Sequence, residues 1–350
     1  MHRAVYKILI ILGLFLLMTA CSSTNGPGTN TGSPTSNTPT RTASITPTRS
    51  TNTGSPTITE FDLPAALSVP YQITAGPDGN VWFTELRGNK IGRISSSGSI
   101  SEFSVPTTGG VPAGITLGPD GKLWFTELSG NKIGQIDSNG TINEFAIPTP
   151  NSQPLGITRG PDNAVWFIEN TGNKIGRITT SGAIREFAIP TANSRPFGIT
   201  LGPDGNLWFT EVASNKVGRI SPSGVIREFS IPTAGSEPQN ITLGPDHQLW
   251  FTEFHSNQIG RISTAGTFSE FSIPTTGSAP FGITAGSDGN LWFTEIVGNK
   301  IGRISPSGSI SEFAIPTGAS KPYGIVQGQD KALWFTEELG NKIGRVTIPG

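Results

Sequence analysis

From residue 57 to residue 350 the large apolar side chains recur at a long fixed interval. The seven tryptophans, Trp82, Trp124, Trp166, Trp208, Trp250, Trp292 and Trp334, lie 42 residues apart, and each is followed by phenylalanine. The segment therefore divides into seven repeats of 42 residues with no insertion or deletion. Within a repeat the apolar positions fall in short runs bounded by turn residues. In residues 183 to 224 a run starts at Pro196 and leads to the turn Gly202-Pro203-Asp204-Gly205, where proline presets φ and glycine allows φ > 0. Leu207 to Glu211 follows, then a tight turn through Ser214-Asn215, then Lys216 to Ile220. After Pro222-Ser223-Gly224 the run Ile226 to Ile231 completes the unit. No stretch carries a helical period, and polar/apolar alternation is incomplete, as expected of sheets covered on both faces. The pattern predicts an all-β fold, a seven-bladed β-propeller of four-stranded blades.

The array starts with Ile58-Thr59-Glu60-Phe61, which has the character of a last strand, and runs to Ile348-Pro349-Gly350 after a third. The N-terminal strand is therefore expected to pair with the last blade and close the ring, leaving no open sheet edge.

Residues 1–20 have a different pattern. Arg3 and Lys7 precede an apolar run from Ile8 to Met18, then Thr19-Ala20-Cys21. This is the layout of a signal peptide, and the run is too short to span a membrane. Leu17 to Cys21 resembles a bacterial lipobox, which implies cleavage before Cys21, lipidation of Cys21, and a membrane-anchored extracytoplasmic lipoprotein. Residues 21–56 are rich in Ser, Thr, Pro, Gly and Asn and are expected to form a disordered tether. The propeller domain is 57–350. Cys21 is the only cysteine, so the fold needs no disulfide. A net charge of −1 with 14% charged residues argues against a nucleic-acid partner. The propeller is expected to be monomeric.

Comparing the seven units with one another separates scaffold from function. Residues present in every blade are expected to be structural. The glutamates after Trp-Phe (Glu85, Glu127, Glu169, Glu211, Glu253, Glu295, Glu337) suggest blade-to-blade ion pairs and turn caps, with Asn-Lys following in six units and Gly-Arg in six. The aspartates from Asp78 to Asp330 suggest turn formers rather than calcium ligands, because no clustered oxygen ligands accompany them.

Three variable sets carry more information. One follows the proline that opens the inner strand (Tyr71, Ala113, Leu155, Phe197, Gln239, Phe281, Tyr323). One precedes that proline and includes Arg195, Glu237 and Lys321. The third follows the repeated glutamate and includes Phe254 and Glu338, with His255 next to it. All three sets should ring one mouth of the central channel, giving a concave apolar site with a few polar groups. The expected ligand-binding mouth is Tyr71, Phe197, Glu237, Gln239, Phe254, His255, Phe281, Lys321 and Tyr323. The competing expectation is that these side chains only plug the channel.

The wording Gly-Pro-Asp-Gly-x-Leu-Trp-Phe-Thr-Glu, Asn-Lys-Ile-Gly-Arg-Ile, Glu-Phe-x-Ile-Pro and Pro-x-Gly-Ile-Thr closely resembles the virginiamycin B lyase (streptogramin lyase) family over residues 57 to 350. The resemblance implies a Mg²⁺-assisted C–O lyase that linearises cyclic depsipeptide antibiotics, with its site at this mouth. It also implies histidines after the proline in the last two repeats, where this chain has Phe281 and Tyr323. Lys321 stands where the family has glutamate. Tyr71 and Glu338 match, which makes Glu338 the candidate catalytic residue. Phenylalanine neither accepts a proton nor binds a metal, and lysine repels Mg²⁺. The expected role is therefore binding of a hydrophobic small molecule, glycan or peptide with little or no lyase activity. The alternatives are a lyase with an altered base and a protein-interaction scaffold.

Overall fold

The structure, a computed structural model, describes residues 54–349. The signal peptide, Cys21 and most of the tether expected from the sequence lie outside these residues. Among the described residues are 28 strands in seven four-stranded antiparallel sheets, arranged as a closed seven-bladed propeller. Blades 1 to 6 each take four consecutive strands. Blade 4, for instance, consists of Pro196–Leu201, Leu207–Glu211, Lys216–Ile220 and Ile226–Ser230, numbered from the channel outward. Blade 7 takes Pro322–Gln327, Leu333–Glu337 and Lys342–Thr347, and Thr57–Asp62 supplies its outer strand, Phe61 opposite Ile343.

The repeat folds this way because each aromatic pair serves two neighbours. Trp208, Val217 and Ile231 of blade 4 pack with Ile241, Leu249, Phe251 and Ile262 of blade 5 in one buried cluster. Phe209 lies across the next strand against Gly218. A Cβ there would come within 2.1 Å of the ring, which accounts for glycine at this position of every repeat. Each tryptophan stacks on the outer-strand phenylalanine, as Trp208 does on Phe229 at 5.5 Å. Its indole N–H donates to the turn aspartate, Asp204 Oδ1, at 3.0 Å. These aspartates are turn formers, as expected, and the indole bond fixes the tryptophan as well.

The repeated glutamates differ from the expectation. All seven are fully buried and none forms an ion pair. Five of them (Glu85, Glu127, Glu169, Glu295 and Glu337) have no hydrogen-bond partner on either oxygen, while Glu211 and Glu253 accept one bond each, from Ser214 and Ser256. In five blades the lysine after the turn turns instead to the glutamate of the outer strand, as Lys132 does to Glu144 at 2.7 Å. Glu144 also accepts from the backbone and hydroxyl of Thr107 in the preceding blade. Blade-to-blade linkage thus runs through the outer glutamate. The sequence shows both carboxylates in every unit but not which of them the lysine can reach.

Candidate functional site

The first turn of each inner strand sets the geometry of the mouth. Pro322 pairs with Glu337, and the strand is irregular between Pro322 and Ile325. The backbone N–H of Glu338 then donates to the carbonyl of Lys321 at 3.0 Å. The equivalent bond recurs in every blade, as Phe254 to Glu237 and Val212 to Arg195. The three variable sets are therefore adjacent and lie at one end of the channel. The residue before the proline has positive φ in all seven blades, from 50° at Gln153 to 59° at Val69. That conformation is costly for a non-glycine residue and most of all for a β-branched one.

At this end Tyr71, Phe197, Phe281 and Tyr323 meet across the channel. Phe281 lies 4.7 Å edge-on from Tyr323, 5.5 Å from Phe197 and 6.0 Å from Tyr71, and Tyr71 lies 5.3 Å from Tyr323. All four are at most 5% exposed. They are the apolar floor of the mouth rather than an open pocket. Gln239 is also buried, and its Nε2 donates to the carbonyl of Glu237. Glu237, Phe254 and Lys321 are half-buried around the rim, and His255 and Arg195 are exposed. His255 belongs to blade 5, two blades from Glu338, so the structure does not place it with the aromatic group.

Glu338 is the one carboxylate associated with that group. Its Oε2 is buried without a hydrogen-bond partner, as is the hydroxyl of Tyr71. Burial raises the Glu338 pKa, opposed by the Lys321 ammonium and by a hydrogen-bonding contact from Tyr323. Burial, reinforced by the Glu338 charge, pushes both tyrosine hydroxyls well above their usual range. The constellation can accept a proton at Glu338 and donate hydrogen bonds from two neutral phenols.

A resident Mg²⁺ does not fit these residues. Among the described residues no group of three His, Cys, Asp or Glu side chains converges as metal ligands. The aromatic group has one carboxylate, Glu338, with the Lys321 charge acting on it, whereas Mg²⁺ needs a near-octahedral set of oxygens.

The virginiamycin B lyase family profile matches residues 38–196 and 170–350. This chain belongs to the virginiamycin B lyase family. Virginiamycin B lyase from Staphylococcus aureus is 45% identical over 84% of this chain and all of its own length, with a TM-score of 0.81. A catalytically inactive variant of that enzyme, with a histidine replaced by alanine and with quinupristin present, matches equally well. A virginiamycin B lyase of Bacillus licheniformis is 46% identical over 41 residues, 12% of this chain and 14% of its own length.

Sequence reasoning places Asn170 in the third variable set but misses the bond it makes, and it misses Gln72 and Asn240. Asn170 is buried and its Nδ2 donates to the Pro196 carbonyl at 2.9 Å, tying blade 3 to blade 4. Gln72 and Asn240 stand where the other five repeats have glycine, a departure visible in the repeat alignment.

Proposed function

We propose that this chain is a family member specialised for binding, which holds a hydrophobic small molecule, glycan or peptide at the channel mouth with little or no lyase activity. The observation that carries the reading is the buried packing of Phe281 on Tyr323 and Tyr71. Two of these three positions are where the family resemblance implies histidine, and side chains locked edge-to-face there offer no base. The ligand would rest on this aromatic floor. Lys321, Glu237 and Phe254 would supply contacts at the rim.

One observation favours a second reading, a lyase with an altered base. Glu338 combines a raised pKa with an unpartnered oxygen, and both are properties of a general base. Quinupristin, the compound held by the inactive Staphylococcus aureus variant, separates the two. With Mg²⁺ in the buffer, the binding reading expects saturable heat in calorimetry and no change in the compound's chromatographic elution after prolonged incubation. A product that gains no mass but elutes as an opened ring, and that disappears in Glu338→Gln, would establish the lyase instead. Neither heat nor product would leave the scaffold reading.

The proposal includes the membrane anchor at Cys21, supported by the lipobox resemblance. In cell fractionation the wild-type chain should sediment with membranes and Cys21→Ser should be soluble. Equal partitioning of the two would remove the anchor from the proposal.

A further inference from the structure

Beneath the aromatic floor the central channel contains a cavity of about 70 Å³, bordered by inner-strand residues of blades 1 to 5. Its walls are mostly isoleucine and glycine, and none of its residues is charged. Two amide side chains interrupt this lining. At the position occupied by Gly114, Gly156, Gly198, Gly282 and Gly324, blade 1 has Gln72 and blade 5 has Asn240. Both line the cavity, and the Nδ2 of Asn240 is buried with no hydrogen-bond partner.

A second, independent departure falls on the same cavity. In six blades a threonine hydroxyl bridges two inner strands. Thr126 Oγ1 accepts from Gly114 N and donates to the Leu155 carbonyl of the next blade, both at 2.8 Å. Thr210 does the same between Gly198 and Gln239. Blade 3 has Ile168 at this position, so Gly156 N–H and the Phe197 carbonyl lack the bridging hydroxyl. Both residues line the cavity.

We infer that this cavity is a binding site for a small neutral molecule bearing hydroxyl or primary amide groups. Two carboxamides, with Gly156 and Phe197 of the unbridged pair also in the lining, offer both halves of a hydrogen bond, which suits a group that also donates and accepts. An ion would find no counter-charge among the lining residues. At about 10–15 Å³ per water-sized position the cavity has room for about five to seven such positions, which corresponds to a molecule of about four to six heavy atoms. The inference is independent of what binds at the mouth.

The test uses the full chain with ¹⁵N-labelled asparagine and glutamine side chains, and glycerol, acetamide and acetate as probes. Saturable shifts of the Asn240 and Gln72 amide signals are expected with glycerol or acetamide, and none with acetate. Asn240→Gly and Gln72→Gly restore the glycine of the other blades and so keep the fold. Each should weaken binding at least tenfold. Ile168→Thr, which would supply the missing hydroxyl, should weaken it about threefold. Shifts that stay linear with concentration would mean that the cavity holds only water, and would overturn the inference. Saturable binding unchanged in both glycine variants, or equal binding of acetate, would overturn it too.

Discussion

Raising the pH from 5 to 8 should lower the melting temperature of the propeller by roughly 10 °C or more, a trend set by the seven buried glutamates. Burial raises Glu85, Glu127, Glu253 and Glu337 to about 7, and Glu169 and Glu295 to about 8. Glu211 is raised for the same reason, against the opposing hydrogen bond from Ser214. The outer-strand carboxylates, such as Glu102 beside Glu85, push in the same direction. The folded state thus holds these protons to higher pH than the unfolded chain, whose glutamates release them near 4.3. The resulting stability is fully present below the unfolded pKa and is lost as the pH rises through the folded values. Each pKa unit corresponds to about 1.4 kcal/mol per group, so a few incompletely compensated sites suffice for about 5 kcal/mol. The outer carboxylates act oppositely. Glu144, Glu186 and Glu312 are held low by the lysine and threonine groups they accept from, despite partial burial, and their contribution is lost below about pH 4. Stability should therefore peak between about pH 4 and 6. Calorimetric scans at fixed ionic strength from pH 4 to 9 check this, with Glu169→Gln and Glu295→Gln together flattening the alkaline decline. A melting temperature that is level or rises between pH 5 and 8 would show that the ring ionises at no cost.

How far the sequence reveals this molecule depends on what repeats. Tryptophans at an unvarying interval, with turn residues between short apolar runs, are enough to give the blade count, the strand order and the closing strand, because each is a property of chain spacing. The three variable sets could also be placed at one mouth, since register assigns them there. Which side chains then touch is a different question. Phe281 and Tyr323 lie next to each other and Phe197 packs on Phe281 from two blades away, and only the diameter of the ring decides whether such side chains line an opening or fill it. The glutamate partners were hidden for a similar reason. Glu85 is nearer than Glu102 to Lys90 in the repeat and stands opposite it across the strands, yet the ammonium pairs with Glu102. Gln72, Asn240 and Ile168 were legible as breaks in the pattern. That Gln72, Asn240 and the Gly156 and Phe197 left unbridged by Ile168 all line one cavity was not, because they come from different blades.

Deleting residues 57–62 should prevent the rest of the chain from folding to a soluble monomer. Thr57–Asp62 pairs along the whole of Lys342–Thr347, so its loss leaves an unpaired, partly apolar edge on blade 7, the kind of edge that recruits other chains. It also removes Phe61, stacked on Trp334 at 5.8 Å, and Ile58, which packs against the blade 6–7 core. The Glu60 carboxylate accepts from the backbone and hydroxyl of Thr317, at 2.9 and 2.8 Å, and so joins blade 7 to blade 6. Asp62 receives the Lys342 ammonium at 2.8 Å, an exposed contact that adds little. Half-burial of two large apolar side chains and the loss of a ladder with two charge-assisted bonds amount to about 5 kcal/mol or more, comparable with the whole stability of many domains. The strand's position in the chain should matter much less than its presence. In blade 4 the third and fourth strands are joined by Ser221-Pro222-Ser223-Gly224-Val225, with Gly224 at φ +95°. Moving residues 57–62 behind Thr347 through that same five-residue turn would rebuild the blade as an ordinary hairpin. The truncated chain should elute as aggregate and lose its near-ultraviolet tryptophan dichroism, while the permuted chain should recover both monomeric elution and the dichroism. A truncated chain as monomeric and as thermostable as the wild type would mean that the ring is held by its blade interfaces alone.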